Sequence, residues 1–371
     1  MSRLRYAIIG SGMMGQEHIR NIQLLPETEI VAVSDPDKRM RGQAAALAGP
    51  TTREFSDHRA LLDAGIADVL VIASPNHTHE SILLDVLPAD LPILVEKPLC
   101  STPEASARIV AEAARQRAPI WVAMEYRYMP PVARLIDEVR RGTAGRLRMI
   151  AIREHRYPFL HKVGAWNRFS RQTGGTLVEK CCHFFDLMRL VAGSEPVRIY
   201  ASGGQDVNHF DERYGGERPD ILDNAYVVAD FANGIRAMLE LCMFAEGSWF
   251  QEHISVIGDQ AKIEAFVPGP SRFWPSEGER QAELVISPRE PKYPSRQVVD
   301  VDPAILAAGD HHGSTFYQHR LFREMVLNGG QPEVSLEDGL RSVEMGAAAE
   351  RSAKTGEAVC LAAVRARVPA A

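Results

Sequence analysis

Apolar positions in the first third of the chain fall in short, nearly continuous runs, at residues 5–9, 30–34, 68–73, 92–95 and 120–124. Between most of them the pattern changes to the three-and-four spacing of amphipathic helices, over residues 13–25, 37–47, 78–87 and 103–117. A strand wetted on one side alternates, whereas a run apolar at every position is buried on both faces. Such strands joined by helices predict a doubly wound parallel sheet.

After residue 124 the texture changes. Pro130 and Pro131 open a helix that runs to about Arg141, and Gly142 and Gly145 bracket its end. Longer strands follow at 146–154, 197–203, 225–231, 235–242, 253–257 and 261–266, with a strong hairpin signal at Asn233-Gly234 and a weaker one at Gly258-Asp259. These predict a largely antiparallel open sheet, covered by helices at 182–191, 312–327 and 336–354. Residues 267–300 carry several prolines and weak periodicity, and are expected to form a loop excursion. The expected fold is thus α/β in residues 1–124, followed by an α+β domain in residues 125–371.

Composition narrows the class. The chain has 371 residues, 45% of them apolar and 24% charged, which fits a folded protein of two or more cores rather than a disordered chain or a fibre. Forty-two Lys and Arg against 48 Asp and Glu give a net charge of −6, the wrong sign for a dedicated nucleic-acid binder. The sequence shows neither a signal peptide nor a long apolar span, so a cytoplasmic protein with no membrane partner is expected. Five cysteines without C-x-x-C spacing are read as reduced thiols. A ligand set drawn from Glu179, Cys181, Cys182 and His183 is disfavoured because vicinal cysteines do not easily face one ion, so no metal is expected.

Candidate chemistry begins at Gly10-Ser11-Gly12-Met13-Met14-Gly15, which follows the first strand and opens the first helix. Gly10 permits a tight turn, Gly12 lets backbone amides approach a pyrophosphate, and Gly15 allows the helix to pack on the strand. Asp35 ends the second strand, 20 residues beyond Gly15, where a ribose-binding acid belongs. Its carboxylate would hold the ribose hydroxyls and repel a 2′-phosphate, which favours NAD over NADP, although Lys38 and Arg39 nearby weaken that discrimination. This is the fingerprint of a Rossmann domain.

Lys97 stands at the carboxyl end of a buried parallel strand, where open α/β sheets place their ligands, and Pro98 ends that strand. The alternative is a solvated strand-end lysine paired with Glu96. Glu179 and His183 are four apart and share a face if a helix already includes Glu179, as a base and its orienting carboxylate would.

Four motifs in order, the glycine loop, Ser74-Pro75-Asn76-His77-Thr78-His79, Glu96-Lys97-Pro98 and the run from Gly174 through Glu179 and His183 to Asp186, resemble those of the glucose-fructose oxidoreductase, inositol dehydrogenase and rhizopine catabolism (Gfo/Idh/MocA) family. The resemblance spans both domains and includes the helix start Glu337-Asp338-Gly339-Leu340. It implies hydride transfer between a nicotinamide and a secondary alcohol of a sugar or cyclitol. It also implies that Ser74, Asn76, His79, Glu96, Lys97 and Pro98 join Gly10 to Gly15 and Asp35 around NAD, with Pro98 entered by a cis peptide. Lys97 would contact the reacting hydroxyl, and Glu179 and His183 would take positions commonly held by Asp and His.

The departures are Glu for Asp at 179, Cys181 for a small residue, Lys180 as an added cation, and Glu125 where Asn is common. Glu125, Arg127, Arg156, Trp166 and Arg168 are candidates for the substrate side, in segments rich in donors and aromatic faces. Rival readings are an NAD-dependent glycosidase working by transient oxidation and a non-catalytic NAD-binding regulator. A homodimer or homotetramer is expected, because an open sheet leaves a face for a partner.

Overall fold

The computed structural model describes residues 3–270 and 280–361. The chain divides into two compact units that interleave along the sequence. The first gathers the residues up to Tyr128 with His161–Gly174 and Asp302–Glu344, and the second takes Met129–Leu160, Gly175–Val301 and the residues from Met345 on.

In the first unit the described strands are β1 (Leu4–Ile9), β2 (Thr28–Ser34), β3 (Arg53–Phe55), β4 (Val69–Ile72), β5 (Ile93–Val95) and β6 (Ile120–Val122). All pair in parallel in the order β3-β2-β1-β4-β5-β6. Every residue of β4, β5 and β6 is buried, which is why their runs are apolar without alternation. The chain leaves β1 toward β2 and returns to β4 on its other side. The carboxyl ends of β1 and β4 therefore flank the reversal where doubly wound sheets bind ligands. β3 was not anticipated: its three residues lie at the sheet edge and are largely exposed, so they carry no hydrophobic pattern. Helix Ser314–Asn328 belongs to this unit and packs on helix Met13–Gln23.

The second unit is built on β7 (Leu147–His155), β8 (Pro196–Gly204), β9 (Asn224–Phe231), β10 (Arg236–Cys242), β11 (Glu252–Gly258), β12 (Ala261–Val267), β13 (Ala282–Pro288), β14 (Ser295–Val299) and β15 (Val359–Cys360). Their order is β14-β13-β12-β11-β7-β10-β9-β8-β15, and among the described strands of this sheet only β7 and β10 pair in parallel. Asn233-Gly234 does form the β9–β10 hairpin, with Gly234 at φ +84°. Alternation gives one buried face, seen in β9 as Ala225, Val227, Ala229 and Phe231. Helices Pro130–Arg140 and Cys182–Ala192 pack on β12 and β7 respectively.

The expected loop at 267–300 is corrected in part, because β13 and β14 lie inside it. Four of the five residues of β14 are exposed, so the strand is defined by pairing with β13 and leaves no periodic trace in the sequence. The remainder of that segment includes residues 271–279, outside the described residues.

Candidate active site

The glycine loop links β1 to helix Met13–Gln23, and each glycine has a distinct constraint. A Cβ on Gly10, at φ +94°, would stand 2.5 Å from the Ala73 carbonyl carbon, and one on Gly15 would stand 2.0 Å from the Gly10 oxygen. A Cβ on Gly12 would meet no protein atom within 4 Å, and as N-cap it has no side chain to satisfy the amides of the first turn. An anion can therefore reach that helix N-terminus. Asp35 closes the loop from the side: its Oδ2 accepts from Ser11 N at 2.7 Å and its Oδ1 from Asp37 N at 2.8 Å. These residues fit a dinucleotide, with the pyrophosphate at Gly12 to Met14 and the ribose at Asp35. Lys38 and Arg39 are exposed, whereas Arg41, unnoticed in the sequence, donates to the Asp35 carbonyl at 2.6 Å and faces Glu54 at 3.5 Å.

The loops after β4 and β5 are tied together by His79. Its Nδ1 lies 2.9 Å from the Pro98 carbonyl and its Nε2 3.0 Å from that of Ser74, with no exposed surface on the ring. Burial pushes its pKa below the ordinary imidazole value, against the two carbonyls that favour charge. His79 thus braces the Ser74 and Pro98 loops. Lys97–Pro98 is a cis peptide, Lys97 is partly exposed, and Asn76 is buried in the turn Asn76–Thr78.

Glu96 lies behind the lysine, almost fully buried. Its Oε1 is 3.0 Å from His18 Nε2, and His18 Nδ1 is 2.8 Å from His319 Nε2, so a carboxylate and two imidazoles form a line through the unit. Burial opposes ionisation of Glu96, but the His18 hydrogen bond and the charges of Lys97 and His311 outweigh it and lower the pKa.

A second buried group lies alongside. Glu17 Oε1 receives His311 Nδ1 at 2.8 Å, and Thr315 Oγ1 lies 3.1 Å from Glu17 Oε1 and 2.5 Å from Glu125 Oε2. Burial resists the ionisation of Glu17, yet His311 lowers its pKa. Burial raises that of Glu125, with Glu96 and Glu17 adding repulsion and only partly opposed by His311. The sequence offered no sign of His18, His311, Thr315 or His319, since two helices remote in sequence bring them together.

In the second unit, helix Thr176–Glu179 ends one turn before helix Cys182–Ala192, with Lys180 and Cys181 between them in right-handed conformation. Lys180 N bonds back to Thr176 O, so Glu179 and His183 keep close to their four-residue helical register, and only 4% and 2% of their surface is exposed. Gly175, at φ +96°, starts this stretch where a Cβ would stand 2.3 Å from Glu350 Oε1, and Glu350 itself receives Leu177 N at 2.9 Å. Lys180 pairs with fully buried Glu154 at 2.8 Å, and Arg156 approaches the same carboxylate at 3.6 Å. Burial together with Glu154 raises the pKa of neighbouring Glu252 to about 7.

The substrate candidates separate. Arg156 belongs to the second unit, while Trp166 and Arg168 belong to the first, where Trp166 lies 6.1 Å from the His77 ring and under Lys162. Arg127 donates to Glu333 O at 2.8 Å beside Asp338. Glu125, at 1% exposure, faces Thr315. Among the described residues no group of three or more His, Cys, Asp or Glu is arranged to hold a metal ion, and no helix is long and apolar enough to cross a membrane.

Comparison with known proteins divides the chain once, by sequence. Residues 4–124 match the NAD-binding Rossmann fold of an oxidoreductase family, and residues 136–361 match its C-terminal alpha/beta domain. The rhizopine catabolism protein MocA of Rhizobium meliloti is 28% identical over 75% of this chain and 82% of its own. Myo-inositol 2-dehydrogenase of Thermotoga maritima is 23% identical over 96% of this chain and 98% of its own. A levoglucosan dehydrogenase solved with NADH and levoglucosan superposes with a TM-score of 0.80 at 21% identity, over 98% of this chain and all of that one. The chain belongs to the Gfo/Idh/MocA family of oxidoreductases and is an NAD-dependent enzyme.

Proposed function

We propose that the protein transfers hydride between NAD and a secondary alcohol of a neutral sugar or cyclitol. The observation that carries this reading is the register of Glu179 and His183, buried four residues apart in a unit whose family partner domain binds NAD. Nicotinamide, when bound, supplies the hydride acceptor. His183 takes the hydroxyl proton, Glu179 orients the imidazole and favours its charged form, and Lys97 steadies the oxygen as negative charge develops. Residues 1–124 hold the cofactor, and residues 125–371 hold the substrate.

The names of the relatives support a polyhydroxylated ring. Neutrality is supported by the engagement of Arg156, which is shared between Glu154 and the face and carbonyl of Tyr157. The test compares kcat/KM on a neutral sugar with that on its uronic acid. A tenfold advantage for the acid, lost in Arg156→Met, would overturn the neutral assignment. Net NADH also separates this reaction from a glycosidase that oxidises only transiently.

Assembly as a homodimer or homotetramer is supported by the outer face of the second sheet. There Tyr200, Val228 and Met238 form an exposed apolar row across β8, β9 and β10. No nucleic-acid or membrane partner enters this reading.

A further inference from the structure

The line Glu96–His18–His319 has a direction. His319 Nδ1 is buried with no hydrogen-bonding partner among the described residues, and the ring stands edge-on to His18 at 4.9 Å and to Tyr6 at 6.2 Å. A neutral imidazole carries one N–H, and a buried N–H without an acceptor costs more than a bare ring nitrogen. The proton of His319 therefore lies on Nε2 and is donated to His18 Nδ1. That leaves His18 with its own proton on Nε2, donated to Glu96 Oε1. Burial keeps His319 neutral, consistent with this order. Two rings thus serve to hold one carboxylate as a hydrogen-bonded anion. A cluster of this kind is a costly way to fill a core, since apolar side chains of the same volume would stabilise it at least as well.

We propose that His18 and His319 are positioning residues for the reaction, holding Glu96 as a fixed anion that sets the placement of its chain neighbour Lys97. The inference rests on the reading of Lys97 as the group that steadies the reacting oxygen. Other charged groups around Glu96 are accounted for: Glu17 on the first helix, Glu125 after β6 and His311 before helix Ser314–Asn328. Of these, His311 favours the Glu96 charge, and the Glu96 charge in turn raises the pKa of Glu125.

Without the His18 donor, a buried carboxyl takes up a proton in the neutral range. His18→Leu is therefore expected to add an acidic limb to the pH profile of kcat/KM. The rate relative to wild type falls by about tenfold per pH unit below that limb and recovers toward pH 8. His18→Gln keeps an N–H at the reach of Nε2 and is expected to stay within about threefold of wild type throughout. A purely structural role would lower the rate equally at every pH.

Infrared titration reads the same event without substrate. A protonated-carboxyl stretch appears between pH 8 and pH 5 in His18→Leu and is lost when Glu96→Gln is added. If sugar oxidation itself fails as the function, only the kinetic arm is affected. If His18→Leu does not fold, nitrogen NMR of 15N-histidine wild type decides, with Nε2–H tautomers expected at both His18 and His319. A parallel pH profile, a Glu96 carboxyl band already present in wild type, or an Nδ1–H tautomer at His18 would overturn the proposal.

Discussion

The hydroxyl of Thr315 lies 2.5 Å from Glu125 Oε2 and 3.1 Å from Glu17 Oε1, so two buried carboxyls share one hydroxyl donor. A hydroxyl has one hydrogen to give. Burial and the neighbouring Glu96 and Glu17 raise the Glu125 pKa, whereas at Glu17 burial is outweighed by His311. The neutral form of Glu125 is thus favoured at a position where the resemblance leads one to expect the neutral amide of asparagine.

Glu125→Gln should consequently be mild. It preserves length, neutrality and a donor toward Thr315, and urea unfolding at neutral pH should show a loss below about 1 kcal/mol. Glu125→Ala removes the donor and leaves a cavity, for a loss of about 2–4 kcal/mol. Equal losses in the two variants would mean that Glu125 is a carboxylate in the folded protein.

Asp35 predicts cofactor choice. Both its oxygens are held by the amides of Ser11 and Asp37, which fixes the carboxylate at the end of the second strand. NAD should bind at least about tenfold tighter than NADP, a difference of about 1.4 kcal/mol, and Asp35→Ser should erode the preference. Fluorescence titration gives both constants, and equal affinities for the unaltered protein would refute the ribose assignment.

Glu252 predicts a pH dependence of stability. Its carboxyl is raised from 4.5 to about 7 in the folded protein, so the folded state holds the proton more tightly than the unfolded one. The stabilisation is complete below the ordinary carboxyl range and is lost as pH rises through about 7, by up to about 3 kcal/mol. Denaturant unfolding from pH 5 to 8 should therefore show a decline that Glu252→Gln reduces. An unchanged slope in that variant would place the titration elsewhere.

Much of this architecture was readable in the sequence, for reasons tied to particular residues. β4 and β5 announced themselves because every side chain is buried, and the glycine loop because Gly10 and Gly15 each face backbone that excludes a Cβ. β14 was hidden because its exposed residues follow no pattern, and β3 because three edge residues are too few to make one. At the candidate site, local motifs are what put Lys97, Glu179 and His183 forward. The packing of His18 against His319, 301 residues apart, has no local signature. The bond from Arg127 to the Glu333 carbonyl, 206 residues away, has no local signature either.

The central claim is tested most directly by the rate of NADH formation, with the keto product quantified alongside, across a panel of cyclitols and pyranoses. The wild type should form NADH and ketone one for one with at least one neutral compound. Lys97→Ala and His183→Ala should each lower kcat by a factor of about 10²–10⁴ with NAD affinity nearly unchanged. Folded, NAD-binding protein that yields no NADH with any member of the panel, or variants within about threefold of wild type, would contradict it.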